Sequence, residues 1–314
     1  MPNYLLWRAI NILPVAAGIT LVSFVLIHLA PGDPATTLLG LEGDGASIAT
    51  LKQKLGLDRS LVEQYLRWLG HVLGGDFGRS TQSGRPVFAM LIEALGPTML
   101  LSGMALAISL AVAIPAGIAA ATHRNSAIDW LLSFVGLCGL SLPSFVVAIV
   151  LILALTVHAH VLPASGYVSP TVNPLEFLRH VILPALTLAT ALSAATMRMT
   201  RAAMLDELGK DYVRTARAKG LPRWRVVFRH VFPNAGIPVL TLLGIQVGHL
   251  LGGVVITETI FSWPGIGKLT VDSIFARDYP VLQGSLLLTG AIFTLINLIA
   301  DVIYTLIDPR VRYT

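Results

Sequence analysis

Six cations, Arg214, Arg217, Lys219, Arg223, Arg225 and Arg229, fall within sixteen residues of a chain whose charged fraction is only 12%. Such a cluster attracts phosphates, nucleic acid or anionic lipid. It lies in Asp211–Asn234, reading DYVRTARAKGLPRWRVVFRHVFPN, with apolar stretches on both sides. A basic helix–turn–helix suggests DNA, but tethering both ends a few residues from lipid argues against groove reading. A loop that only fixed topology would satisfy the positive-inside rule. It would not also need Tyr212, Val213, Ala216, Leu221, Val226, Val227, Phe228 and Val231. Those residues imply a folded element that packs on something.

Other constellations carry less. Gly267-Lys268 looks like the end of a phosphate loop. Ser262 stands where its first glycine is needed, however, and Leu269 where Ser or Thr would hold magnesium. His158 and His160 invite a metal, but they alternate poorly on a helix and have no carboxylate near in sequence, so interfacial histidines are the better reading. Cys138, the single cysteine, gives no disulfide framework and no cysteine metal site. Polar groups in the apolar run Gly236–Ile256 are more informative. A central charge costs about 2.5–3.5 kcal/mol there on insertion scales. Gln246, His249 and, near the outer end, Glu258 are therefore candidates for a translocation path. Gly244, Gly248 and Gly252 recur every fourth residue and allow close helix approach. Helix packing alone, with Glu258 snorkelling, is the competing reading.

The elements that must position these residues are membrane spans. The hydrophobic fraction is 54% and the mean hydropathy +0.75, which excludes a soluble globular domain. Apolar runs at Ala9–Leu29, Thr98–Ala121, Leu131–Val157, Val181–Met199, Gly236–Ile256 and Leu286–Ile307 give six spans. The first lacks a cleavage site and reads as an uncleaved span. Placing both termini inside puts thirteen Lys and Arg on the cytoplasmic side against three in the two short outer loops. Pro115, Pro143 and Pro184 fall within spans, where kinks are tolerated. Between spans one and two, Ile48–Leu55 is one candidate helix. Ser60 with Glu63 begins another, and Gly74-Gly75 end it. In the basic stretch, Asp211 is expected to cap a helix that Gly220 ends, Pro222 to sit in the first turn of a second, and Asn234 with Pro238 to mark the return to apolar sequence.

The stretch resembles the coupling loop of ABC-importer permeases, with its Glu-Ala-Ala, three residues, Gly, nine residues, Ile-x-Leu-Pro pattern. Arg214-Thr215-Ala216 stands at the Glu-Ala-Ala place, Gly220 at the glycine, and His230-Val231-Phe232-Pro233 at the end. The spacing is intact, but Arg and Thr replace the leading Glu and Ala, so an ion pair from the first position is lost. Wording similar to the dipeptide/oligopeptide/nickel subgroup recurs in Ala30–Pro34, Leu55–Gly70, Gly75–Ser80, Phe261–Gly265 and Ala276–Pro280.

The resemblance implies an all-α integral membrane protein of the type I ABC importer permease fold, with six transmembrane helices and a small helical outer-loop subdomain. Its parts would be an N-terminal span (1–30), an extracytoplasmic loop (31–97) and a five-helix core (98–314) holding the coupling helices at 211–234. Asp211, Tyr212, Arg214, Thr215, Ala216, Arg217, Gly220, Leu221, His230, Pro233 and Asn234 would dock on an ATPase. The chain would be no enzyme and hold no cofactor, since ATP and Mg would be bound by two cytoplasmic ATPase subunits. A second, related permease, an extracytoplasmic solute-binding protein and membrane lipid would complete the partners, with no nucleic acid. The expected place is the cytoplasmic membrane and the expected cargo a di- or oligopeptide. Nickel or another small solute is the alternative. An ion-driven secondary transporter would show inverted repeats and midplane carboxylates, and a membrane enzyme clustered catalytic groups. Neither pattern is visible in the sequence.

Overall fold

Proline, glycine and capping residues decide where the helices stop. The computed structural model describes residues 13–25 and 59–307, apart from the side chains at 249, 251 and 300–307. The candidate helix at Ile48–Leu55 lies outside the described residues. Every regular element among the described residues is a helix, apart from a single isolated bridge between Arg79 and Pro86. In chain order the helices are α1 (Leu13–Val25), α2 (Leu61–Leu73), α3 (Val87–Thr122), α4 (Ala127–Ser141), α5 (Ser144–Leu151), α6 (Pro174–Leu208), α7 (Asp211–Ala218), α8 (Arg223–Arg225), α9 (Phe232–Ile260), α10 (Ile266–Ala276) and α11 (Tyr279–Ile307). Wider, π-wound turns at Ile152–His158 and Val226–Val231 extend α5 and join α8 to α9.

Among the described residues four helices are long and apolar enough to cross a membrane, or five if α4 and the extended α5 together form one bent span. The expected single span over Leu131–Val157 is thus two helices bent by 108°. Pro143 is the cause: it has no N–H to give the helix, and it forces the preceding Leu142 to an extended backbone, ψ 126°. Pro115 and Pro184, by contrast, lie inside intact helices.

The chain forms two compact units. The first comprises the described parts of Met1–Leu95 with Leu269–Thr294. Here Ser60 caps α2, its hydroxyl accepting the Glu63 N–H at 3.3 Å, and Gly74 ends the helix as expected. Tyr65 and Trp68 turn their rings onto Phe24 of α1, 5.4 and 5.8 Å between centroids. Tyr65 also hydrogen-bonds Thr20 at 2.8 Å. Two stretches nearly two hundred residues apart meet at Asp278, whose buried carboxylate accepts from the Ser80 hydroxyl and, at 3.1 Å, the Thr81 N–H.

The second unit comprises Gly96–Lys268 and the described residues from Leu295. Helix α6 is its hub, with 56% of its apolar window buried. Helix α3 closes on it at Gly117, where an added Cβ would lie 2.6 Å from the Thr200 Cβ and 2.8 Å from the Met197 carbonyl. Only glycine fits there. One apolar cluster joins Leu101, Val181, Leu188, Leu250, Val254 and Trp263, and another lies under the basic stretch.

Candidate functional site

Sequence chemistry builds the basic stretch as a platform with two faces. Val213 and Ala216 on α7, and Val226, Val227 and Val231 on the turn that follows α8, are buried with Ile118, Ala121, Ala203, Met204 and Ala235. Leu221 packs against the same cluster. The opposite face of α7 carries Asp211, Arg214, Thr215 and Arg217 into the open, followed by Lys219 and Gly220. Arg214 reaches only back to Asp211, 3.3 Å away, and both side chains stay more than three-quarters exposed. Such a pair contributes little stability. It leaves a charged, rigidly backed surface.

Local backbone chemistry differs from expectation at three points. Asp211 is the first helical residue rather than the cap; Lys210 takes the cap position without a side-chain bond. Asp211 there suits the positive end of the helix dipole. Pro222 precedes the second helix as its cap, φ −62° and ψ 146°, instead of entering its first turn. Asn234 marks no break, because helical backbone runs on from Arg223 to Ile260. The π-wound turn lies just ahead of Pro233, which withholds an N–H from the ladder, and wider winding accommodates such a gap. Gly220 does end the first helix, at φ +75°, a left-handed conformation that costs a residue with a Cβ.

Tyr212 ties the platform together. Its hydroxyl donates to Glu207 at 2.6 Å, and Lys210 pairs with the same carboxylate. Burial, with the Glu207 hydrogen bond, holds the phenol above its ordinary pKa, so it remains a donor. Asn234 donates to the His230 carbonyl at 2.9 Å and to the Tyr212 hydroxyl at 3.4 Å, and the second of these bonds brings the two ends of the motif together. Arg223 donates to the Thr122 carbonyl at the end of α3, a favourable place for a cation.

The residues singled out on α9 separate. Gln246 is buried and bonded at both ends of its amide, accepting from Thr196 at 2.9 Å and donating to the Leu192 carbonyl at 3.2 Å. It ties α9 to α6. Gly248 is buried and Gly244 half-buried. Gly252 is exposed, and a side chain there would meet open space, so no described residue packs closely at that position. The side chain of His249 lies outside the described residues.

Glu258 does not snorkel. It is fully buried, accepting from the Thr98 hydroxyl at 2.6 Å and from the Lys268 N–H at 3.0 Å. The Gly267 N–H donates to it as well. Thr98 in turn accepts the Ile266 N–H at 2.9 Å. Together Thr98 and Glu258 satisfy the free N–H groups that open α10. Beside them the buried Trp263 indole donates to the Pro97 carbonyl at 2.9 Å. Sequence reading also passes over Asp129, which grips Arg201 through two bonds of 2.6 and 2.8 Å. Its one local signal is Ser126 three residues before, which caps α4.

Comparison with known proteins decides what this architecture is. Residues 113–313 match the family described as binding-protein-dependent transport system inner membrane component, and residues 1–102 match its N-terminal companion. The chain belongs to this permease family. It is 40% identical, over all of both chains, to a probable peptide ABC transporter permease of Sinorhizobium fredii and to the oligopeptide transport permease AppB of Bacillus subtilis. The dipeptide transport permease DppB of Escherichia coli is also 40% identical, across all of this chain and 99% of its own. Among solved structures, the inward-facing MetNI methionine ABC transporter shares the permease fold at TM-score 0.59 and 16% identity, covering 70% of this chain and 96% of that one. An amino acid ABC transporter follows at TM-score 0.51 and 16% identity, covering 71% and 94%.

Proposed function

We propose that this chain is a translocation subunit of an ATP-driven importer of di- or oligopeptides. The observation that carries the reading is end-to-end identity with permeases named for peptide, oligopeptide and dipeptide transport. The two-faced stretch at 211–234 supplies the mechanism. Its apolar face is anchored in α3, α6 and α9, while its charged face is free to meet cytoplasmic ATPase subunits. Those subunits hold ATP and Mg. When nucleotide closes the pair, the platform moves and the anchored helices follow it as rigid bodies, alternating access to a central path. A second, related permease completes the path, and an extracytoplasmic binding protein delivers cargo to the outer loops. Both termini face the cytoplasm, with the core at 98–314 spanning the membrane.

The test is uptake of the dipeptide Ala-Phe by the complete transporter in proteoliposomes. Uptake should require the ATPase subunits, ATP and peptide-loaded binding protein. Uptake without the ATPase subunits would establish an ion-driven carrier instead. Uptake of a nickel chelate but no peptide would overturn the substrate assignment.

A further inference from the structure

Arg198 counts toward the cytoplasmic charge in a sequence reading, yet it lies within α6, ten residues before that helix ends at Leu208. It is exposed, and among the described residues it has no hydrogen-bond or ion-pair partner. It faces an open cavity of about 650 Å³ whose walls include Ser133, Leu137, Leu140, Arg201 and Leu242. The second cation, Arg201, is held by both oxygens of Asp129 and adds little net charge. None of the lining residues is acidic. The cavity therefore offers one uncompensated guanidinium among mainly apolar walls.

That arrangement selects a ligand with one exposed anionic group and otherwise variable, apolar-tolerant substituents. A guanidinium presents a planar fork that matches a carboxylate. Leu137, Leu140 and Leu242 impose no hydrogen-bonding pattern on whatever lies beside it. Arg198 also precedes Ala203 and Met204, which pack on the basic platform, by about one and a half helical turns. A ligand held there is within reach of the motion of the platform.

We propose that Arg198 receives the C-terminal carboxylate of a peptide passing through this cavity, an inference that rests on the peptide-import reading above. The contact reads only what every peptide with a free C-terminus shares, and leaves the side chains unread. It is weak enough for release because the site is open to water. An inner-leaflet lipid phosphate offers similar chemistry, so lipid is the alternative that the experiment must separate.

The experiment uses the complete nucleotide-free transporter carrying Cys138→Ser and Leu140→Cys in the permease, in neutral-lipid nanodiscs. Maleimide labelling of the cysteine at 140 is followed as Ala-Phe is added, and then as its C-terminal amide is added. The free acid should protect. The amide, and the free acid acting on Arg198→Gln, should need about tenfold more peptide, the loss expected for one charge-assisted hydrogen bond. Arg198→Lys should lie between. Equal protection by acid and amide overturns the proposal, and this arm stands even if Arg198→Gln fails to assemble. Protection by added phosphatidylglycerol that depends on Arg198, with none by Ala-Phe, assigns the site to lipid and also overturns it. Wild-type uptake of Ala-Phe serves as the control. If uptake is present and protection absent, only the Arg198 assignment fails; if uptake is absent, the peptide-import reading fails with it.

Discussion

At the scale of single residues, buried polar groups separate structural ties from groups free to act. Glu258 receives only donors, from Thr98, Gly267 and Lys268. Glu258→Ala would leave them unpaired in a fully buried site, at about 1–3 kcal/mol for each group left unsatisfied. Purified transporter carrying Glu258→Ala should melt well below wild type. Glu258→Gln, which keeps an acceptor, should lose much less. Equal losses would show that the charge, not the acceptor, holds the opening of α10. Asp129→Asn should likewise destabilise the protein, since it leaves the Arg201 guanidinium without its carboxylate partner. Adding Arg201→Gln should recover part of the loss, and a melting curve of the double variant no better than the single one would count against the pair.

Elements were legible in the sequence where local backbone chemistry decides them. Helix α3 should fail to seat on α6 in Gly117→Leu, because its Cβ meets the Thr200 side chain and a backbone carbonyl. Gly252→Leu, facing open space among the described residues, should leave the fold intact. Assembly yields of the two variants measure the contrast, and equal yields would remove the assigned contact. That contrast shows what periodicity leaves out. The repeat of Gly244, Gly248 and Gly252 marks one face of a helix but not the neighbour that face meets. A glycine that does make a close approach, Gly117, lies outside that repeat. Ser60 and Gly220 were readable because a cap and a left-handed turn depend on residues a few positions away. Pro143 announced a disturbance in its span, yet the 108° bend also needs the packing of the two halves to fix it. Glu258 read as a candidate for the translocation path, with snorkelling as the competing reading, because its partner Thr98 lies 160 residues earlier in the chain.

For the whole molecule, orientation and coupling are properties of the intact transporter and are tested on it. Single cysteines at Gly43 and Lys210, in a Cys138→Ser background, should label from opposite sides of intact cells. Labelling of both from one side would rule out the six-span arrangement. Coupling is tested most directly at Gly220, whose φ of +75° joins the two halves of the platform and whose surroundings are open. A β-branched residue there strains the turn without touching a span. ATP-driven Ala-Phe uptake should be measured for wild type and Gly220→Val in proteoliposomes of matched permease content. Uptake by the variant should fall to a small fraction of wild type while the subunit still accumulates in the membrane. Full uptake by Gly220→Val, with normal stimulation of ATP hydrolysis by loaded binding protein, would contradict coupling through this platform.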